Sequence, residues 1–127
     1  MERTLATETA PAAADTTLNT QQLDGLLRGN TLYLSLPAGG PGGESGGVAP
    51  FFYGSDGRAV AKLPAGMTLV GIWSLGDEHY CVNWDNGPKN SCTKVRKWSS
   101  DIVLTDAQSG DIRGNVVKLV PGNPENL

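Results

Sequence analysis

TLVGIWSLGDEHYCVNWDNGPKNSCTKVRKWSSDIVLT, residues Thr68 to Thr105, contains all three tryptophans, both cysteines and the only histidine of the chain. Its turn signals divide it into four apolar-alternating runs, as in an antiparallel meander. A two-residue turn at Gly76-Asp77 sets Trp73 opposite Tyr80, Gly71 opposite Val82 and Leu69 opposite Trp84, which makes one continuous apolar face. A second turn centred on Asn86-Gly87, or a four-residue loop Asp85 to Pro88 that suits the proline better, sets Tyr80 opposite Thr93 and Cys81 opposite Cys92. A third turn at Ser99-Ser100 brings Val95 against Leu104 on the same apolar side. Three separately placed turns therefore agree on which side is inward. Gly71, flanked by Leu69 and Trp73, reads as a position where a side chain would collide with neighbouring aromatics.

Outward from this segment the alternation continues. A short helix is expected from Thr20 to Arg28, with Asn19 or Thr20 as its cap, Leu23, Leu26 and Leu27 on one face and Gly29 as its stop. Thr31–Leu36 reads as a strand, and Ala49–Tyr53 and Arg58–Leu63 flank Gly-Ser-Asp-Gly as a hairpin centred on Asp56-Gly57. Ile112–Val120 reads as a last strand with Gly114 as a bulge. The chain is thus expected to be all-β, a small antiparallel β-barrel or sandwich of about 7–8 strands with one short N-terminal helix.

At 127 residues the chain has room for one core. Residues 1–17 carry Leu5 as their only large aliphatic side chain and read as a disordered tail, which leaves 18–127 as a single β domain. Ala38–Gly47 (AGGPGGESGG) reads as a mobile glycine-rich loop. The net charge of -3 gives no basic surface for a polyanion, so nucleic acid is not expected as a partner. No apolar run reaches the roughly 20 residues of a membrane span, and no basic-then-apolar leader is present. A Cys81–Cys92 bridge would stabilise a small fold by about 3 kcal/mol and implies an oxidising compartment, periplasm or cell exterior. Two unrelated buried thiols are the alternative. A zinc site is not expected, because His79 is the only other ligand nearby.

On the reverse of the meander, His79, Cys81 and Asn83 lie beside Cys92, Lys94 and Arg96, with Trp98 at the end of the row. If that face lines a cup, His79, Lys94, Arg96 and Trp98 form a cationic and aromatic surface for an anionic or planar ligand. If it faces water, it is an ordinary solvated sheet with edge lysines. Trp73 and Trp84 read as buried anchors and Trp98 as the tryptophan exposed to a partner. His79 has no nucleophile in a G-x-S-x-G setting, and Ser109–Gly114 and the glycine loop lack the lysine of a phosphate cradle.

Gly71–Trp73 as G-x-W, Cys81–Trp84 as C-x-x-W, the second Cys at Cys92 and the closing Gly122–Pro124 together resemble a group of small exported bacterial proteins of unknown function. Leu26–Tyr33, Phe51–Tyr53 and Asp56-Gly57 occupy the places of that group's earlier motifs. The resemblance implies a periplasmic or secreted β domain, lipocalin-like, with a disulfide, and brings no catalytic residues. The expectation is a non-enzymatic extracytoplasmic module that binds a small molecule or a protein, without cofactor. An accessory subunit of a cell-envelope complex is the alternative, and a hydrolase using His79 is the third reading.

Overall fold

Alternation along every strand gives this chain one apolar face, and the computed structural model, which describes residues 15–39, 46–98 and 100–127, closes that face on itself. The strands are β1 (Asp15–Thr17), β2 (Asn30–Leu36), β3 (Gly47–Tyr53), β4 (Arg58–Lys62), β5 (Thr68–Gly76), β6 (His79–Trp84), β7 (Ser91–Trp98), β8 (Asp101–Asp106) and β9 (Ile112–Pro121), with helix α1 at Thr20–Leu27. Strands β2 to β9 pair each with the next, and β9 returns to β2, so eight antiparallel strands form a closed barrel. Closure removes both sheet edges, which a sandwich would have left exposed. The extra strand β1 pairs with the second half of β7, Asp15 to Trp98 through Thr17 to Arg96. Residues 15–17, expected in the tail, are thus part of the sheet. The rest of that tail, residues 40–45 of the glycine loop, Ser99 and the Trp98 side chain lie outside the described residues.

The hairpin that carries the cysteines has the expected register, with Tyr80 facing Thr93, Cys81 facing Cys92 and Val82 facing Ser91. Val95 faces Leu104 as well. The β5–β6 hairpin differs: its turn is Asp77-Glu78, with Glu78 at φ 57°, so Trp73 faces Val82 and Gly71 faces Trp84. A slip of two residues keeps every side chain on its face, which is why apolar patterning alone does not detect it. Gly71 is required for a different reason from the one expected. A Cβ there would lie 2.3 Å from the Asn83 carbonyl oxygen, so the close neighbour is backbone rather than an aromatic ring.

The helix closes one end of the barrel. Asn19 accepts from the Gln22 amide at 2.8 Å while the Gln22 side chain accepts from the Asn19 amide at 2.9 Å, a reciprocal cap that starts α1. Leu23 and Leu27 are fully buried in the core, and the Thr20 hydroxyl donates to the Gly76 carbonyl at the end of β5. Gly29, at φ 75°, turns the chain into β2, and its amide bonds the Tyr53 carbonyl. Above the helix, Tyr53 packs edge-on against Trp73 and Tyr80, and the Trp73 indole donates to the Gly54 carbonyl at 2.9 Å.

Candidate functional site

The opposite end of the barrel is bounded by the β2–β3, β4–β5, β6–β7 and β8–β9 loops, and no helix among the described residues covers it. Between that end and the tyrosines lies a cavity of about 390 Å³. Leu34, Leu69, Val82 and Trp84 form its walls, and Phe51 meets Trp84 edge-on at 6.3 Å. Leu36, Pro37, Leu63 and Pro88 line it nearer the loops. The volume and apolar lining are those of a small-molecule site.

Among the described residues, one charged side chain lines this cavity. Ile112 pairs with Thr105 and Gly114 with Leu104, so Arg113 is the extra residue of a β-bulge. The bulge expected at Gly114 is therefore present, and it aims Arg113 into the cavity's lining. Its guanidinium donates to Ser91 Oγ at 2.6 Å and Thr93 Oγ1 at 3.2 Å and pairs with Asp106. The other Asp106 oxygen accepts from the amides of Gln108 and Ser109. The Ser109 amide, then Arg113 and the Gln108 amide, hold the Asp106 carboxyl well below the usual carboxylate range.

Below Arg113 the polar groups continue inward. Thr93 hydrogen-bonds Tyr80, whose hydroxyl lies 3.0 Å from that of Tyr53. Burial pushes the Tyr53 hydroxyl well above its ordinary value. It raises Tyr80 too, opposed by hydrogen bonds from Tyr53 and Thr93 and by the Arg113 charge. Both remain protonated donors across the physiological range.

The residues singled out from sequence lie on the other side of the wall. Cys81 and Cys92 are disulfide-bonded. His79 and Lys94 line an outer groove of about 510 Å³, together with Asp77, Lys89, Asn90 and Gln108, and Arg113 and Asp106 reach it from the barrel. Arg96 sits further along β7, between Thr17 and Val103, and lines neither hollow; nothing is described of the Trp98 side chain. His79 Nδ1 lies 2.8 Å from the Asp77 carbonyl, and no carboxylate or hydroxyl among the described residues hydrogen-bonds its ring. Its ring also lies close to both cysteine sulfurs, all three ligand atoms within 4.8 Å of one another, but bridged sulfurs offer no thiolate to a metal.

Sequence reasoning placed Tyr80 and Trp84 on the apolar face without assigning them to a site, read Tyr53 only as the end of a strand, and read Arg113 only as part of the last strand. The available signal was the bulge at Gly114, because an inserted residue reverses the side on which its neighbour points. No protein-family model matches the chain, and no curated protein or solved structure matches it.

Proposed function

We propose that this chain is an extracytoplasmic, non-enzymatic binding module that holds a small, largely apolar molecule inside its barrel. The observation that carries this reading is the cavity of about 390 Å³ between the tyrosine floor and the loop end. A chain that needed only stability would lose less by filling that space, since each empty methylene volume forfeits packing energy. The Cys81–Cys92 bridge supports a periplasmic or secreted location, and no helix among the described residues is long and apolar enough to cross a membrane. Met67 and Ile112, both large and exposed beside the open end, give an apolar ligand a greasy approach. The outer groove with His79, Lys89 and Lys94 supports a second reading, contact with an acidic patch on an envelope partner.

Titration with the neutral fluorophore N-phenyl-1-naphthylamine, read by energy transfer from the cavity-lining Trp84, tests the first reading. Saturable binding that disappears in Leu36→Trp, a substitution that fills the cavity near the loops, is the expected result. A folded wild-type protein that shows no saturable signal would remove the proposal.

A further inference from the structure

The hydroxyl groups at the cavity floor can be counted. A guanidinium only donates, so in the contact between Arg113 and Thr93 the threonine oxygen is the acceptor and its own proton is directed elsewhere. Three hydroxyl protons, those of Thr93, Tyr80 and Tyr53, then remain for two hydroxyl contacts, Thr93 with Tyr80 and Tyr80 with Tyr53. Three protons less two contacts leaves one without a protein acceptor, whichever way the chain is oriented. No other acceptor hydrogen-bonds these three hydroxyls among the described residues. The three residues are 4%, 3% and 2% exposed, and all of them line the cavity. A buried donor left unmatched is costly, and the cavity is the direction from which an acceptor can come.

Charge narrows the ligand further. Arg113 is the one ionised group on the cavity lining among the described residues, and Asp106 already compensates it. A carboxylate ligand would therefore bring an uncompensated negative charge into an apolar chamber, which is strongly unfavourable. A neutral carbonyl oxygen accepts the spare proton at no such cost. At roughly 30 Å³ per heavy atom, the share of a water molecule in its liquid, the cavity holds on the order of a dozen such atoms.

We infer that the barrel is a site for a neutral, medium-chain carbonyl compound, a ketone, ester or lactone, whose oxygen accepts from one of the Tyr53, Tyr80 and Thr93 hydroxyls while its hydrocarbon lies against Leu34, Leu69, Val82 and Trp84. This assignment rests on the binding role proposed above and names its ligand class.

Displacement of N-phenyl-1-naphthylamine by methyl nonyl ketone, dodecane and decanoate at neutral pH tests it, with the three probes matched in heavy-atom count. The ketone should bind about tenfold tighter than dodecane, the worth of one buried hydrogen bond, and also tighter than decanoate. Tyr53→Phe and Tyr80→Phe should each keep most of that advantage, because removing one tyrosine hydroxyl still leaves a tyrosine donor. The Tyr53→Phe, Tyr80→Phe, Thr93→Val triple variant, which removes all three counted protons, should bring the ketone down to the affinity of dodecane while leaving dodecane unchanged, which also shows that the barrel is intact. Equal affinity for ketone and dodecane in the wild type, or a ketone advantage that survives the triple variant, would overturn the assignment. Tightest binding by decanoate would overturn it in favour of Arg113 as the anchor. If neither the fluorophore nor dodecane binds the folded wild type, the binding role itself fails instead.

Discussion

The two ends of the barrel are built from the same eight strands with the same alternation, yet one is solid and the other hollow. At the helix end, Leu23 and Leu27 enter from α1, and Trp73, Tyr53 and Tyr80 stack above them. At the loop end, the inward side chains leave a cavity of about 390 Å³, and no helix among the described residues covers the opening. Alternation alone therefore fixes which residues point inward, and the amount of side chain supplied at each level decides whether the inside is core or chamber. Arg28 seals the solid end from outside, its guanidinium 5.0 Å from the centre of the Trp73 ring.

The sharpest test of that contrast is truncation at each end, followed by urea midpoints. Trp73→Ala should cost about 3–5 kcal/mol and Leu23→Ala about 2–5 kcal/mol, because both leave new voids in packed surroundings. Leu36→Ala, which only enlarges an existing opening, should cost about 1 kcal/mol. Similar losses at Leu23 and Leu36 would mean that the loop end is packed as tightly as the helix end.

Removing the bridge by Cys81→Ser with Cys92→Ser should cost about 3 kcal/mol on the chain-entropy view. The bridge joins β6 to β7, the two strands linked by the 85–90 loop of the open end. Hydrogen exchange should accordingly quicken at that hairpin before α1 responds.

Alkaline titration probes the floor between the two ends. The Tyr53 and Tyr80 hydroxyls are raised above their ordinary value, so above pH about 10 the unfolded chain loses protons that the folded one retains. Stability should be level below that point and then fall by roughly 1 kcal/mol per pH unit for each tyrosine. The Tyr53→Phe, Tyr80→Phe double variant should flatten the fall. At the open end the sign is opposite. The Asp106 carboxyl is lowered, so its contribution is present above the ordinary carboxylate range and is lost as pH falls below about 4. Acid difference curves of Asp106→Asn against wild type measure that loss. The smallest effect is expected at the helix cap, where Asn19→Ala should cost about 1 kcal/mol and lower the thermal midpoint of the plugged end.

Much of this barrel was legible in the sequence, for reasons that differ from place to place. The Cys81–Cys92 pairing followed from a turn whose length is set by Pro88 and Gly87, and α1 followed from its cap and its Gly29 stop. The Trp73 register was missed by two residues because parity, the only signal there, is indifferent to such a slip. Residues 15–17 read as tail because a three-residue strand buries too little to register in composition. The cavity was illegible for another reason. An unfilled volume is a sum over many facing positions, and Arg113 joins it only through the one-residue insertion in β9. The surface favoured from sequence, with His79 and Lys94, is on the outer side of the wall, where alternation had placed it.

Strand β7 gives its first half to β6 and its second half to β1 along the same side, and the Leu18 amide continues that seam by donating to the Val95 carbonyl. Without Asp15 to Thr17, the backbone of Arg96 to Trp98 would present raw donors and acceptors to solvent at a place where pairing around the barrel leaves a gap. A molecule so shortened should pair this bare edge with the same edge of a second copy, which makes these three residues a guard against self-association as well as a seal.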